Sequence, residues 1–398
     1  MPAVPLINAD AFSEGGGSAT RNFHIGSGAA ISSSATEANR QTKFKTAGTL
    51  SRLWVNILTN DHTASSTLRV RKAAANGNLV CTVPSSSTGV FEDVTNSDSV
   101  AVDDLMNLQF VIGTGGTVFT CNVIRLHFTA TTGHVTVFSN TSVNVSGNDV
   151  YTSIVGPTGG TTSENNNTTR IPFACTFRNI GMYVSANTRD AAVTIRSRVN
   201  TADGAQSFSI PSTSTGWFED ASNTDSIAAG DLINFKGVTA GTTGTVTMQT
   251  KRSEILEPTG KKTLAASNGT DSQANNITNY MPISGDNTQI ATEANEYVAL
   301  GIKAKLSNLT INVTTNTVSA TSTLNLRKNG ANSTISVSIT ASTTGRFTDS
   351  TNVEKVSTTD TLNYQIITGA TGSSLSWRVI GMQVQRASSS SNMLLMGI

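Results

Sequence analysis

The chain contains three consecutive copies of one sequence pattern, and this repeat constrains the fold more than any other feature. The segment SSTGVFEDVTNSDSVAVDDLMN at 86–107 recurs as TSTGWFEDASNTDSIAAGDLIN at 213–234 and as STTGRFTDSTNVEKVSTTDTLN at 342–363. The copies are offset by 127 and then by 129 positions, without a gap inside the aligned part. A pattern that recurs at one spacing indicates repeated structural units. We therefore predict three like domains in tandem.

The same two offsets align charged and aromatic positions over most of each copy. This repeat framework consists of one glutamate, one arginine, one phenylalanine and two aspartates per copy: Glu37, Glu164, Glu293, Arg71, Arg198, Arg327, Phe91, Phe218, Phe347, Asp93, Asp220, Asp349, Asp104, Asp231 and Asp360. Positions that all copies share serve what the copies have in common. We interpret the framework as maintaining the fold, and we expect any ligand site to lie where the copies differ.

The composition and the residue alternation predict an all-β chain. Charged residues make up 13% of the 398 residues, about half of the usual 25%, and Thr, Ser, Asn and Gly take their place. In the first copy Leu53, Val55 and Ile57 alternate with larger or polar neighbours. Such a period of two is typical of strands with one buried face. Short strands in units of about 115 residues indicate β-sandwiches of jelly-roll type.

Turn signals place a hairpin in each copy just after the strand that carries the framework arginine. These signals are Asn-Gly at 76–77, Asp-Gly at 203–204 and Asn-Gly at 329–330. Both dipeptides favour the tight turns that join two antiparallel strands. We predict a two-residue hairpin turn at each of the three sites.

The repeat also sets the expected domain boundaries. Thr-, Gly- and Asn-rich connectors are expected at 129–147 and 257–276, and neither end of the chain belongs to a repeat. The prediction is a set of five parts: an N-terminal arm over 1–19, sandwiches over 20–130, 146–258 and 275–388, and a C-terminal tail over 389–398.

Charge and hydropathy exclude several kinds of partner. The formal net charge is +1 and no Lys/Arg-rich run occurs, which argues against nucleic-acid binding. No apolar run is long enough to cross a membrane as a helix. The first residues, MPAVPLINADAFSEGGG, lack the basic start and apolar core of a signal peptide. We expect a protein made in the cytoplasm that binds neither nucleic acid nor membrane.

No sequence motif points to an enzyme. The four histidines show no metal-ligand spacing, and CxxC, HExxH, GxSxG and phosphate-loop motifs are absent from the sequence. Three cysteines, Cys81, Cys121 and Cys175, are too few for a disulfide framework and are expected to act as small buried hydrophobic residues. We predict no catalytic residue, no metal and no cofactor.

The repeated F-x-D-x-x-N element allows two interpretations. Asp93, Asn96 and Asp98 supply oxygen donors within one loop, as a calcium site requires. Aspartate and asparagine side chains also cap their own turns by accepting bonds from backbone N–H groups. We favour the turn interpretation because the loop has few carboxylates for a dedicated calcium site.

The remaining framework residues also have alternatives. The arginine and glutamate of one copy can form an ion pair within a domain, or they can pair between neighbouring domains. The framework phenylalanines follow Thr-Gly and are predicted to anchor one end of each core. Trp217 has Val90 and Arg346 as its counterparts, so we expect it to point outward and treat it as a candidate contact residue.

The pattern is clearest in the third copy, in LRKNGANSTISVSI, TGRFTDSTN and TTDTLNYQIITGATGSSLSWRV. These motifs resemble the jelly-roll head domains that are common in bacteriophage virion proteins, which are broadly similar to the C1q and tumour-necrosis-factor type of β-sandwich. The first two copies keep the framework but lose parts of the pattern. The resemblance implies a structural protein of the virion and singles out no role within the particle.

The leading hypothesis is a non-enzymatic phage head decoration or cement protein. It would attach through its terminal arms to the major capsid protein or to neighbouring copies. The alternatives are a receptor-binding tail fibre or spike protein, with a host-surface glycan as partner, and a bacterial surface-array protein. The sequence leaves open whether three domains of one chain form a pseudo-trimer or whether three chains assemble.

Overall fold

A computed structural model describes residues 3–15, 18–29, 32–141, 144–156, 161–241, 243–269, 271–286 and 289–387. Its strands form six sheets in three pairs, one pair for each sequence copy. The predicted all-β fold of three tandem sandwiches is therefore confirmed. Among the described residues, no helix is both long and apolar enough to cross a membrane.

Domain 1 begins close to the start of the chain and ends with a strand that reaches Ala130, at the beginning of the first predicted connector. Its strands are β1 (Val4–Glu14), β2 (Thr20–Phe23), β3 (Thr42–Lys43), β4 (Gly48–Asn60), β5 (Ser66–Lys72), β6 (Ala75–Val83), β7 (Gly89–Val100), β8 (Leu105–Val111) and β9 (Phe119–Ala130).

Domain 2 repeats this series with one additional short strand. Its strands are β10 (His134–Asn140), β11 (Val145–Ser146), β12 (Val150–Thr152), β13 (Thr169–Arg170), β14 (Cys175–Asn187), β15 (Val193–Val199), β16 (Ala202–Ile210), β17 (Gly216–Ile227), β18 (Leu232–Thr239) and β19 (Thr245–Glu257).

Domain 3 completes the described chain. Its strands are β20 (Lys261–Ser267), β21 (Ser272–Ala274), β22 (Thr278–Met281), β23 (Gly285–Asp286), β24 (Val298–Ala299), β25 (Ala304–Val318), β26 (Ser322–Lys328), β27 (Ala331–Ile339), β28 (Gly345–Val356), β29 (Thr361–Ile367) and β30 (Gly372–Arg386).

The strand order identifies each sandwich as a jelly roll. In domain 1 one sheet runs β1-β9-β4-β7 and the facing sheet runs β2-β8-β5-β6. Domain 2 has the orders β10-β19-β14-β17 and β12-β18-β15-β16. Domain 3 has β23-β20-β30-β25-β28, in which β23 is parallel to β20, and β22-β29-β26-β27. Each domain thus has two facing sheets whose four main strands are antiparallel and interleaved in the jelly-roll arrangement.

The alternation seen in the sequence fills the space between the two sheets. Leu53, Val55 and Ile57 of β4 are buried, as are Leu68 and Val70 of β5. The residues between them lie on the outer faces of the sheets. The side chains therefore follow the period of two that predicted half-buried strands.

The segment expected to form an N-terminal arm belongs to a β-sheet in the structure. Strand β1, which falls inside 1–19, pairs along its length with β9 and belongs to the sandwich of domain 1. Strands β10 and β20 likewise fall inside the predicted connectors 129–147 and 257–276. Each domain thus begins earlier than the repeat indicates. The predicted tail, 389–398, lies outside the described residues.

The sequence repeat does not extend over these three first strands, because each of them also packs against a different neighbouring domain. Ile7 and Ala9 of β1 belong to the hydrophobic core of domain 3. Val135 and Val137 of β10 belong to the core of domain 1, and Ala265 of β20 belongs to that of domain 2. Every core therefore continues into the next domain in the same rotational direction, so the three sandwiches form a closed ring.

The predicted hairpin turn is correct in the third copy and shifted by three residues in the other two. The turn residues with positive φ are Asn329 and Gly330 in domain 3, but Ala73 and Ala74 in domain 1. Gly77 instead lies within β6, where a Cβ atom would meet the carboxylate of Asp98 at 2.7 Å. This glycine is required by the close approach of a side chain and not by the turn.

Candidate functional site

The most distinctive feature of the molecule is the set of three equivalent interfaces between its domains. Each domain has a short 3-10 turn, at Glu37–Arg40, Glu164–Asn167 and Glu293–Glu296. This turn and the residues that follow it lie against the outer face of the next domain's β4-type sheet. Domain 1 docks on domain 2, domain 2 on domain 3, and domain 3 on domain 1, so the three contacts close a ring.

The interface between domains 1 and 2 is ionic. Thr46 Oγ1 and Lys45 N donate to the two carboxylate oxygens of Glu254, at 2.7 and 3.1 Å. Glu254 is fully buried. The ammonium groups of Lys43 and Lys45 lie 3.0 and 3.1 Å from Glu219 Oε1. Since a buried carboxylate is costly without partners, these bonds make docking specific to this pair of surfaces.

The interface between domains 2 and 3 relies on backbone oxygens. Asn312 Nδ2 donates to Asn165 O at 2.9 Å. Arg346 Nη2 donates to Thr168 O at 3.3 Å and also bonds Thr168 Oγ1. The acceptors belong to the 3-10 turn of domain 2 and to the residue after it. The docking element is therefore the same, although its partners on the sheet differ from those of the first interface.

The interface between domains 3 and 1 closes the ring with another set of residues. The guanidinium of Arg125 donates to Ala299 O and pairs with Glu92 Oε1 at 2.7 Å. His127 Nε2 lies 3.0 Å from Leu300 O. Arg125 and His127 are both buried. Sequence reasoning missed both residues. The register gives Arg125 a like counterpart in Arg252, which pairs with Glu219 of its own domain at 2.9 Å, whereas His127 has no like counterpart.

Gly28 lies where all three domains meet. Its N–H group is 3.1 Å from Ile7 O and 3.2 Å from Ser284 Oγ of domain 3. Its carbonyl oxygen accepts from Gly156 N at 3.0 Å and from Asn140 Nδ2 at 3.1 Å, both in domain 2. The φ angle is +72°, which favours glycine. The junction is therefore built on one residue that has no side chain.

The framework arginine and glutamate form an ion pair within each domain. Nε bonds one carboxylate oxygen and Nη2 the other, and the paired side chains are no more than 19% exposed. The Nε–Oε1 distances are 3.0 Å for Arg71–Glu37, 2.8 Å for Arg198–Glu164 and 2.8 Å for Arg327–Glu293. Of the two alternatives, the structure has the intradomain pairing.

This ion pair also positions the docking element. In domain 2, Arg198 holds Glu164 of the 3-10 turn on one side. On the other side it bonds Asp203 Oδ1 and Thr201 O of the hairpin between β15 and β16. The hydrogen bonds to Glu164 raise the pKa of Arg198 above its ordinary value. The arginine thus ties the turn that contacts the next domain to the rigid sheet of its own domain.

We expect Arg198→Met to lower the free energy of unfolding by about 2–4 kcal/mol, because it leaves the carboxylate of Glu164 largely buried and unpaired. Arg196→Met is the matched control on the same strand. Arg196 pairs with Asp203 at a side-chain exposure of 40%, so its loss should cost less than about 1 kcal/mol. Urea unfolding measures both variants. Equal losses would contradict the role assigned to the framework pair.

The first framework aspartate caps the turn that follows it. Asp93 Oδ1 accepts from the N–H groups of Thr95 and Asn96 at 3.1 and 3.0 Å, and Oδ2 accepts from Val80 N at 3.0 Å. Burial opposes ionisation, but these bonds hold the pKa of Asp93 at about 2. The same pattern of bonds recurs at Asp220 and Asp349.

The calcium interpretation needs carboxylate oxygens that are free to bind a cation. Those of Asp93 are engaged by N–H groups, and those of Asp98 accept from Asn78 N at 2.6 Å and from Leu79 N at 3.0 Å. Within the described part of the chain, no group of three or more His, Cys, Asp or Glu side chains could hold a metal ion. The arrangement is that of turn capping.

The second framework aspartate and the framework phenylalanine also act locally. The aspartates cap the turn before β8 and its equivalents, with N–H donors at 2.6 Å for Asp104, 2.7 Å for Asp231 and 2.7 Å for Asp360. The phenylalanines are partly buried and pack against the core of their own domain: Phe91, Phe218 and Phe347. These framework aspartates and phenylalanines thus make their contacts within one domain.

Trp217 lies on the outer face of its sheet, at a position whose equivalent in domain 3 contacts a neighbouring domain. Its ring is partly buried and lies 5.9 Å from that of Tyr183, at an interplanar angle of 47°. Its counterpart in domain 3 is Arg346, which contacts domain 2 across the interface. The expected outward orientation thus corresponds to the docking face of the sheet.

Histidines occupy each of the three interfaces. His24 Nε2 lies 3.0 Å from Thr250 Oγ1 between domains 1 and 2, and His127 contacts domain 3 as described. His134 Nδ1 lies 3.8 Å from Glu257 Oε2, close to Lys262 of domain 3. Burial lowers the pKa of His127 to about 3 and that of His134 to about 4. Each is therefore neutral near pH 7.

The three cysteines form no disulfide. Cys81 and Cys121 are buried, whereas Cys175 is only partly so. Burial raises the pKa of the Cys81 thiol to about 12, and that of Cys175 likewise. Both therefore stay as thiols near pH 7, in line with a packing role.

Three jelly rolls in one chain, joined by equivalent interfaces, define a triple jelly-roll protein. No family model matches the chain. No curated protein matches it. Among solved structures, one similar chain is described as "The Triple Jelly Roll Fold and Turret Assembly in an Archaeal Virus"; it has 9% sequence identity, and the match covers 96% of this chain and 91% of that chain with a TM-score of 0.19. A TM-score this low carries no argument, so the fold rests on the strand orders given above.

Proposed function

We propose that the protein is a non-enzymatic structural component of a virus particle. Its main role would be to decorate or cement the head of a phage, in contact with the major capsid protein or with neighbouring copies. Its action would consist of buried surface and hydrogen bonds with those neighbours, without a chemical step. The virion would be its location after synthesis in the host cytoplasm.

The observation that carries this proposal is the closed ring of three jelly rolls. A chain with internal threefold pseudo-symmetry presents three similar outer surfaces around one axis. Such a block suits a position where three similar subunits of a shell meet, because one copy can contact all three at once. The resemblance of the repeat to phage head domains supports the same role.

The means of attachment differs from the sequence-based hypothesis. Strand β1 occupies most of the expected N-terminal arm and is part of domain 1, so this segment is not proposed as an attachment arm. The apolar sequence MLLMGI at 393–398 stays a candidate by its composition alone. Apolar side chains that have no core of their own gain most from burial against a partner.

The test is the number of copies on purified particles, measured by quantitative mass spectrometry against the major shell protein. Copies on the order of tens to hundreds, in icosahedral proportion, are expected for a head decoration protein. A few copies per particle would contradict head decoration and favour a fibre that binds a receptor or glycan. Absence from particles would contradict a virion role and favour a surface-array protein.

A truncated chain ending at Ala387 tests the attachment separately. We expect it to keep the thermal unfolding transition of the full chain and to lose most of its binding to particles that lack the protein. The matched control replaces Leu394 and Leu395 by serine in the full chain, which removes the apolar character but keeps the length. Full binding by both variants would contradict attachment through this segment.

A further inference from the structure

The three interfaces differ in how the charge of their cations is balanced by carboxylates. The first case is Lys43. At the interface of domains 1 and 2, Lys43 Nζ lies 3.4 Å from Asp103 of its own domain and 3.0 Å from Glu219 of the next. The lysine therefore sits between two carboxylates. Both partners come from positions that the repeat register also defines in the other domains.

At the interface of domains 2 and 3 the cation is kept but both carboxylates are missing. The register that aligns the repeats places Arg170 at the position of Lys43, Gly230 at that of Asp103 and Thr348 at that of Glu219. A Cβ atom built on Gly230 would lie 3.4 Å from Arg170 Nη2. The guanidinium thus lies beside the site where the aspartate side chain would begin.

A second cation joins the first at this interface. Arg346 takes the position held by Val90 in domain 1 and by Trp217 in domain 2. Burial and the nearby charge of Arg170 lower the pKa of Arg346 to about 10. Within the described ranges, neither arginine is in salt-bridge contact with a carboxylate. Two neighbouring guanidinium groups therefore have no anionic partner among the described side chains.

The site is open to solvent. Arg170 and Arg346 are partly exposed, and Thr348, two residues after Arg346 on the same strand, is exposed. Thr348 Oγ1 lies 3.0 Å from Thr310 Oγ1, so a hydroxyl group stands where the other two domains have a glutamate carboxylate. Guanidinium groups bind carboxylate, sulfate and phosphate oxygens in two-point geometry, and a hydroxyl group can donate a further bond.

We propose that Arg170 and Arg346, together with Thr348, form a binding site for an oxyanion at the interface of domains 2 and 3. The ligand, a carboxylate or a sulfate, supplies the negative charge that the carboxylates of Asp103 and Glu219 provide at the equivalent place between domains 1 and 2. It can be a free anion or an acidic group carried by a sugar. This binding proposal does not depend on the proposed role in the virion. The site lies at positions where the three copies differ, as expected of a ligand site.

The test is the thermal midpoint of the full chain in sodium acetate, sodium sulfate and sodium glucuronate, each compared with sodium chloride at equal ionic strength. Glucose is the neutral control. An anion that binds only the folded state should raise the midpoint by about 2 °C or more when its concentration is ten times the dissociation constant. A larger increment with glucuronate than with acetate assigns the ligand to acidic sugars; equal increments assign it to the anion alone.

Three variants locate the effect. Arg346→Gln should abolish the anion increment, and Thr348→Glu should abolish it while raising the midpoint in chloride, because the glutamate supplies the missing charge internally. Lys43→Gln, at the interface that already has its carboxylates, should leave the increment unchanged. An increment that is absent in the unmodified chain, or that persists in both Arg346→Gln and Thr348→Glu, overturns the proposal.

Discussion

Replacing Gly28 by alanine should lower the free energy of unfolding by about 3–4 kcal/mol, since a strained φ angle and an overpacked junction add together. A Cβ atom at this position would lie 2.3 Å from Val155 Cγ1, and φ is +72°. Val155 has a short branched side chain that cannot rotate out of the way without disturbing the junction. Urea unfolding followed by circular dichroism measures the change.

Gly147→Ala is the matched control for this substitution. Its φ angle of +57° carries a similar backbone cost, but nothing lies within 4 Å of a Cβ atom there. We expect a loss of about 1–2 kcal/mol, which is the backbone contribution alone. If both variants lose the same amount, the three domains do not meet at Gly28 as described.

Acidification from pH 7.5 to pH 5 should destabilise the chain by about 2 kcal/mol for each histidine that is neutral and buried at an interface. His24, His127 and His134 have folded-state pKa values below the ordinary value near 6.5. Below that value the unfolded chain takes up protons that the folded chain does not. The stability is thus complete above about pH 7 and falls with pH until the folded-state pKa values, about 3 for His127 and about 4 for His134, are reached.

The positive charges around these histidines act in the same direction, but two buried groups beside His134 oppose it. Burial lowers the pKa of Lys262, which therefore also takes up a proton in the folded chain as the pH falls. After burial, Arg40 and Lys251 contribute to lowering the pKa of His24, and Arg125 to lowering that of His127. Beside His134, burial raises the pKa of Glu257, which takes up a proton in the folded state and offsets part of the loss. The interfaces of domain 1 should therefore weaken first.

Urea midpoints at pH 7.5 and pH 5 measure this effect. His24→Gln and His127→Gln can keep a hydrogen bond but cannot titrate, so the double variant should lose at least two thirds of the pH dependence, since Glu257 already offsets part of the contribution of His134. A chain whose stability is the same at both pH values, or a double variant with unchanged pH dependence, would show that these histidines are not buried at the interfaces.

The sequence predicts the parts of the structure that the three copies share. Alternation in SRLWVNILTN predicts the buried face of β4, and the offsets align the ion pairs of Arg71 and its equivalents. Shared features depend on contacts within one domain, such as the turn bonds of Asp93. Aligning the three copies within this one chain is therefore enough to identify the residues that make these contacts.

The features that join the domains could not be predicted in the same way. Strand β1 contacts domain 3, β10 contacts domain 1 and β20 contacts domain 2. Each of these strands packs on a different surface, so their sequences do not share one pattern. His127 and Arg346, which contact a neighbouring domain, likewise lack like counterparts in the other copies. The register nevertheless held one clue, since Gly230 and Thr348 replace two acidic residues while a cation remains at Arg170.

The hairpin positions show a further limit of local signals. An Asn-Gly or Asp-Gly pair predicts a turn because glycine allows positive φ. In domain 1 the turn uses Ala73 and Ala74 instead, and the glycine three residues later leaves room for Asp98. Whether such a glycine provides the positive φ of a turn or leaves room for a side chain depends on the neighbouring strand. The dipeptide alone does not contain this information.

The most direct test of the closed ring is the radius of gyration of the full chain, measured by small-angle X-ray scattering on the monomeric fraction. A compact molecule of 398 residues should have a radius of gyration of about 21 Å. Three jelly rolls linked as a string would give about 30 Å. The structure predicts the compact value at pH 7.5, and the extended value under the same conditions would contradict it.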